Sequence, residues 1–460
     1  MKKLLLILFS FVSDVAYTQT PITDANFRDA IQYCLSTNPV DGLCNDSQYG
    51  PMPDWDVSNV TNMDRPFAWE DPSFNVDLSN WDTRNVETME YLFLNFTNFD
   101  ADISNWDVSN VTNMFGMFAG ARSFNADISS WDVSNVTNME VMFSNAKSFN
   151  ADISSWDVSN VPSMWWMFMG AESFNAEIGS WDVSNVTDMT EMFQSASSFN
   201  ADLSDWNVSN VSNLASMFSF ASSFNGDISN WDVSNVTDMR TVFNWAPAFN
   251  SDLSNWDVSN VTNMLGMFAG ANSFNSDLSD WNVSNVTMML AMFNSASSFN
   301  SDLSNWDVSN VTDMEFMFEK SGLSTDNYDA LLLGWSQQNV QSNVIFGAEG
   351  IKYCNGKDAR LDLISNNGWT IIDAGYDCTV SSTIEENKIA VSIYPNPTSG
   401  LLNIEGNDKE LIAIVFDMLG KEIMTQSSCN KIDLSHLENG IYIIRLSDGQ
   451  KTSSQKVTKI

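Results

Sequence analysis

The sequence predicts an α/β solenoid of short parallel strands and short helices, followed by a small all-β sandwich. Three observations predict it. Trp81, Trp106, Trp131, Trp156, Trp181, Trp206, Trp231, Trp256, Trp281 and Trp306 recur every 25 residues, and Trp55 precedes the first by 26. Within each period the apolar residues keep the same offsets. The charge also breaks along the chain: of a formal net −38 over 460 residues, residues 55–330 hold 37 acidic and 6 basic side chains, while residues 388–460 hold 8 of each. Such a composition break marks a domain boundary.

The chain opens on Met1-Lys2-Lys3 and an apolar run from Leu4 to Val12, the pattern of a secretory signal, read as residues 1–19. That run is too short to span a bilayer, and no later stretch reaches the roughly 18 apolar residues of a transmembrane helix. Residues 20–54, with a helix-like Phe27 to Leu35, are read as an N-terminal cap. Residues 55–321 hold about eleven repeats, residues 322–380 form a C-terminal cap, 381–390 a linker and 391–460 the sandwich. Solenoids need caps, because a terminal repeat cannot bury its own apolar face. Cys34 with Cys44 and Cys354 with Cys378 flank compact segments and are expected as two disulfides of an exported protein, leaving Cys429 over.

Each repeat is close to Ser-Phe-Asn-x-Asp-Ile-Ser-x-Trp-Asp-Val-Ser-Asn-Val-Thr-Asn-Met-x-x-Met-Phe-x-x-Ala. A fixed period in the 20–29 range is leucine-rich-repeat-like. Val136, Met139, Met142, Phe143 and Ala146 share one face of a 3.6-residue period, which predicts a short helix capped by Ser134 or Asn135. Asp152-Ile153-Ser154 reads as a short strand, stacked on its counterparts at ~4.8 Å. The Met, Phe and Trp stripe recurs at core spacing, so it is read as core and not as a ligand groove. The row Asn110, Asn135, Asn160, Asn185, Asn210, Asn235, Asn260, Asn285 and Asn310 is read as a ladder that satisfies backbone groups in the turns.

Two acidic rows follow from the same period. One is Asp102, Asp127, Asp152, Glu177, Asp202, Asp227, Asp252, Asp277 and Asp302. The other is Asp107, Asp132, Asp157, Asp182, Asp232, Asp257 and Asp307, interrupted by Asn207 and Asn282. Like charges ~5 Å apart repel by about 1 kcal/mol even in water. A column of calcium ions or hydrogen bonding to turn amides with solvent screening would offset this. Asn at two positions decides the second row, since an Asx turn needs the oxygen and not the charge. The first row leaves calcium open. No other cofactor is expected.

Residues 391–460 alternate short strand-like runs with turns: Leu401 to Glu405, Leu411 to Phe416, Lys421 to Met424, Ile441 to Leu446 and Lys451 to Lys459. Tyr394-Pro395-Asn396-Pro397, Asp417-Met418-Leu419-Gly420-Lys421, Leu437 with Gly440-Ile441-Tyr442, and the terminal Lys456 and Lys459 resemble the type A C-terminal sorting domain of the Bacteroidetes type IX secretion system. The resemblance implies a β-sandwich handled by that machinery at the outer membrane, with the cargo anchored at the cell surface or released. The repeats, with Tyr328-Asp329-Ala330-Leu331-Leu332-Leu333-Gly334-Trp335 and Gly368-Trp369-Thr370-Ile371-Ile372-Asp373 behind them, resemble the BspA-like leucine-rich-repeat surface proteins. That resemblance implies a surface-exposed binding or adhesion protein without naming its ligand.

The function expected is therefore non-catalytic adhesion, or protein or glycan binding, through the solenoid surface. Phe115, Glu140, Trp165, Thr190, Ala215, Arg240, Leu265, Leu290 and Glu315 differ in type at one register of the expected helices and are the candidate binding residues. The acidity excludes nucleic acid, which needs Lys and Arg on a face. A secreted hydrolase and a surface coat without a specific ligand are the alternatives. Against the hydrolase, the carboxylates recur in identical settings, the single His436 lies in the sorting segment, and there is no Gly-x-Ser-x-Gly, His-Glu-x-x-His or phosphate-binding loop.

Overall fold

The structure, a computed structural model, describes residues 19–39, 42–67, 74–379, 391–405, 411–417, 421–427, 430–447 and 452–460. The expected signal up to residue 18, the whole of the expected linker, Gly420 and Cys429 lie outside the described residues. The chain divides into two compact units, Met1–Gly375 and Tyr376–Ile460.

In the first unit each repeat lies on the next. Parallel bridges join Asn62 to Thr88, Thr88 to Asn113 and Asn113 to Asn138, and run from Ser163 through Asp188, Asn213, Asp238, Asn263 and Met288 to Asp313. The Met-x-x-Met-Phe segment then alternates its donors. Tyr91, Phe93 and Asn95 give their N–H to Phe115, Met117 and Ala119 of the following coil at 2.8, 2.8 and 2.7 Å. Leu92, Leu94 and Phe96 give theirs back to Met89, Tyr91 and Phe93 in their own coil at 3.2, 3.3 and 3.2 Å.

This alternation corrects the expected elements. The described repeats contain neither the short helix expected over Val136–Ala146 nor the strand expected at Asp152–Ser154. Val141 (φ 62°) and Asn145 (φ 57°) are left-handed, as are their counterparts along the array. An α-helix requires φ near −63° and an i to i−4 bond. Half of these N–H groups are instead spent on the neighbouring coil. The inward residues are those expected, since Val136, Met139, Met142, Phe143 and Ala146 are all buried.

Aromatic columns fill the interior. Trp131 and Trp156 stack at 6.4 Å with planes 3° apart, and Trp206 and Trp231 at 6.3 Å. Phe143 and Phe168 stack at 5.6 Å, and Phe149 lies 3.8 Å from Phe143 within the repeat. Each indole also fastens the coil before it. Trp181 Nε1 donates to the Ile153 carbonyl at 3.0 Å, Trp206 to Ile178 at 3.0 Å and Trp306 to Leu278 at 2.8 Å. Asn135 and Asn160 donate their amides to the Ser109 and Ser134 carbonyls, both at 2.8 Å. A second ladder was not anticipated: the N–H of Asn150 donates to Asn125 Oδ1, and that of Asn175 to Asn150 Oδ1, both at 2.7 Å.

Both ends of the stack are covered. At the N-terminal end α1 (Phe27–Thr37) buries Phe27, Ala30, Ile31, Cys34 and Leu35. Phe27 meets Trp81 edge-on at 5.7 Å. Cys34 and Cys44 form a disulfide with Cα atoms 5.2 Å apart. At the C-terminal end come α2 (Thr325–Trp335), β1 (Ile345–Ala348), α3 (Lys357–Asn367) and β2 (Thr370–Asp373), with β1 and β2 parallel. Met314 bridges to Phe346, so β1 continues the ladder. Gly347 permits this approach, because a Cβ there would lie 2.3 Å from the Phe316 nitrogen. Trp335 extends the indole column, donating to the Leu303 carbonyl at 3.1 Å. Cys354 and Cys378 are each disulfide-bonded as well.

The second unit has a three-stranded sheet, β3 (Ser392–Tyr394), β4 (Leu401–Glu405) and β7 (Lys431–Asp433), in the order β3-β4-β7. Its four-stranded sheet holds β5 (Ile412–Phe416), β6 (Glu422–Gln426), β8 (Gly440–Ser447) and β9 (Thr452–Lys459), in the order β6-β5-β8-β9. Ile393, Leu402 and Ile432 of the first sheet share one core with Ala413, Val415, Ile444, Leu446 and Val457 of the second. That shared core makes the unit a sandwich.

Candidate functional site

In the repeats from Trp81 on, two positions four residues apart are left-handed. The first runs Tyr91, Gly116, Val141, Trp166, Glu191, Ser216, Thr241, Gly266, Ala291 and Phe316. The second runs Asn95, Gly120, Asn145, Gly170, Ser195, Phe220, Trp245, Gly270, Ser295 and Lys320. These residues vary freely while the buried Met and Phe beside them recur. The two columns and the residue before each make a variable strip within the repeats.

The candidate residues stand at the edge of this strip, and not on helices as expected. Phe115, Glu140, Trp165, Leu265, Leu290 and Glu315 are half-buried, Arg240 is exposed, and Thr190 and Ala215 are buried. Burial makes Thr190 and Ala215 poor contacts. The Thr190 hydroxyl is turned on Asp188 at 2.5 Å, and Arg240 is paired with Asp238 at 3.1 Å. Trp165 stacks on Trp166 at 4.5 Å, and the Trp166 Nε1 is buried with no hydrogen-bond partner. Glu191 lies beside that indole outside bonding geometry; burial pushes its carboxyl up, against the opposing pull of Arg240. The residues missed are those of the two columns themselves. Gly116, Gly120, Gly170, Gly266 and Gly270 were the available signal, since glycine accepts φ > 0 without strain.

Between Asn95 and Asn145 the small Ala119 and the absence of a side chain at Gly120 open a trough of about 440 Å³, lined also by Leu94, Thr97, Arg122 and Ser144. Its polar groups are amides, hydroxyls and one guanidinium. It can accept a hydroxylated ligand, but it presents no nucleophile with a base.

The acidic row is engaged by its own turns. Asp102, Asp127, Asp152, Asp202, Asp227, Asp252, Asp277 and Asp302 each accept the N–H of the serine two residues on, at 2.9–3.0 Å. The serine hydroxyl and N–H hold Asp102, Asp127 and Asp152 below the usual carboxylate range. Among the described residues no group of three or more His, Cys, Asp or Glu side chains could hold a metal ion. Asn207 and Asn282 make the same turn in the second row, each to its serine N–H at 3.2 Å. Apart from Glu177, whose +2 residue is Gly179, both rows make Asx turns that fix the corners of the coil.

A lowered native pKa gives stability that is full above the ordinary aspartate value near 3.9 and is lost as pH falls through the lower native values. Melting curves should accordingly be the same with calcium or chelator at pH 7, and Tm should fall only below about pH 4. A rise of several degrees on adding calcium would restore the metal reading.

In the second unit the sorting motif closes on the last strand. Asn396 donates its amide to the Lys456 carbonyl at 2.8 Å and accepts the Thr458 N–H at 2.9 Å. Thr398 and Thr458 bond through their backbones at 2.9 Å. Gly440 pairs with Lys459, and the Tyr442 hydroxyl donates to the Glu438 carbonyl at 2.9 Å. Tyr394 stays half-exposed, its phenol pushed up by a hydrogen bond to Glu405. Tyr394, Pro395 and Pro397 thus lie on the segment that Asn396 ties to β9.

These features define a class: a secreted or cell-surface repeat protein with a C-terminal sorting tail. Residues 392–459 match the family model described as a secretion system C-terminal sorting domain, which commits the chain to the type IX secretion machinery. Residues 43–155, 145–246 and 213–331 match the model described as Mycoplasma protein of unknown function, DUF285. Those matches cover more than half of the chain, which belongs to the DUF285 family. No curated protein matches it. No described helix is long and apolar enough to cross a membrane.

Proposed function

We propose that the protein is a non-catalytic adhesion protein of a Bacteroidetes-type bacterium, whose array is a leucine-rich-repeat-like solenoid of the BspA kind that binds a partner through its variable strip. One observation carries this reading. The two left-handed columns differ in type from coil to coil while the indoles, Phe pairs and Asx turns around them are held constant. A coat without a ligand would gain nothing from such variation. A hydrolase would need two carboxylates driven apart in pKa by distinct surroundings, and here both rows repeat one turn. The partner is a protein or a glycan, met by area and not in a deep pocket.

The test is adherence. A strain lacking the gene should adhere less to host cells or to other bacteria, and the purified full chain should block adherence of the parent. Normal adherence of the deletion strain, with no blocking, would overturn the reading.

A further inference from the structure

Two aromatic side chains stand where the frame resists them. In the second left-handed column the other coils carry Asn, Gly, Ser or Lys, whereas Phe220 (φ 58°) and Trp245 (φ 52°) occupy successive coils. A bulky residue at positive φ is a backbone outlier, held only where its surroundings impose it. Neither ring is used inside the molecule: Phe220 is 50% and Trp245 52% exposed. Trp245 also has a prepared seat. A Cβ on Gly270 of the next coil would lie 2.8 Å from its Cδ2 and 3.0 Å from its Cε3, so glycine lets the indole lie against the backbone.

The surroundings point to a class of ligand. The residue before each aromatic is uncharged and polar. The Asn244 amide donates to the Ala269 carbonyl at 3.4 Å, a long bond open to replacement, while the buried Ser219 hydroxyl holds Asn244 Oδ1 from within at 3.5 Å. Ser195 and Ser295 flank the pair in the same column. Aromatic faces beside amides and hydroxyls suit a sugar ring, which offers a C–H face and a rim of hydroxyls. The −31 of residues 55–330 (6 basic, 37 acidic) disfavours a polyanion.

We propose that Phe220 and Trp245 form a stacking platform for a neutral polysaccharide, with the Asn244 amide as its hydrogen-bonding rim. This rests on the adhesion reading above and names its ligand class. Affinity electrophoresis of the full chain through gels holding laminarin, galactomannan, hydroxyethyl cellulose or alginate tests it. At least one neutral polymer should retard the protein, and alginate should not.

The double variant Phe220→Asn, Trp245→Asn should bind about tenfold more weakly, the loss of ~1.4 kcal/mol. Its Tm should be kept or raised, because Asn95 and Asn145 already fill this column. Should that variant not fold, Trp245→Phe should keep most of the retardation and Trp245→Ser should lose it. No retardation by any neutral polymer, or equal retardation of the variants, overturns the proposal. If the full chain still blocks adherence in that event, the adhesion reading stands with a protein as partner.

Discussion

Replacing Trp181 with alanine should be the most damaging single change in the array. Its indole is 3% exposed, stacks beside Phe168 at 6.2 Å and donates to the Ile153 carbonyl at 3.0 Å. Trp→Ala in a core costs about 3–5 kcal/mol, and the lost indole bond adds about 0.5–1.5, since the Ile153 carbonyl still accepts the Trp156 N–H at 3.2 Å. The position matters as much as the size. In a stack each coil contacts only its neighbours, so stability is close to a sum of coil and interface terms. A break near the middle should split unfolding into two transitions, one for each half. Calorimetry should show one endotherm become two, and Trp181→Phe should show a smaller loss. A single transition lowered by less than about 1 kcal/mol would contradict the role assigned to the indole column.

The second large effect is expected at Asp329 in the C-terminal cap. Its carboxylate is 3% exposed and accepts the N–H groups of Cys354, Asn355 and Gly356 at 2.9, 2.7 and 2.9 Å. Those donors precede and open α3, where the helix end favours negative charge. Asp329 itself lies on α2, so this one side chain joins the two helices that close the stack. Asp329→Ala leaves three N–H groups without an acceptor, at about 1–3 kcal/mol per unsatisfied group, and should cost about 3–5 kcal/mol in all. Asp329→Asn keeps an acceptor oxygen but sets its NH2 against donors, and should fall between.

Limited proteolysis should cut the alanine variant first around residues 352–356, where the freed N–H groups lie, and later at residues 360–373, because the neighbouring latch does not depend on Asp329. In that latch Arg360 bonds the Asp373 carboxylate at 2.6 Å, and the Tyr328 hydroxyl donates to it at 2.9 Å. Burial, then the Asp373 charge, push the Tyr328 phenol well up. An alanine variant as resistant as the parent would show that the cap is held elsewhere.

Much of this architecture was legible because the period is exact to the residue. The Trp column, the Phe and Met interior and the Asn110-type ladder follow from recurrence alone. The helix was not legible. Val136, Met139, Met142, Phe143 and Ala146 have offsets that suit a helical face, but they equally suit a coil that turns inward at those residues. Glycine at some repeats and Asn at others, at the positions of Val141 and Asn145, distinguishes the two, because both tolerate φ > 0. The Asn125 ladder escaped for a similar reason. Its acceptor lies one coil away, and Asp100 serves in it as well as asparagine does, accepting the Asn125 N–H at 2.8 Å. At the register chosen for binding, Thr190 and Ala215 are buried, whereas the left-handed Glu191 and Ser216 come one residue later. In the second unit short strands between turns were readable, whereas the closure of Asn396 on β9 depends on partners 60 and 62 residues away.

The central claim is a division of labour: the constant rows hold the stack, and the two left-handed columns bind. One paired measurement tests it. In the full chain, Tyr91, Trp166, Phe220, Trp245 and Phe316 are changed together to asparagine, and both Tm and blocking of adherence are recorded. The division of labour predicts a Tm equal to or above that of the parent, with blocking abolished. Blocking at the parental level, with the columns stripped, would contradict it.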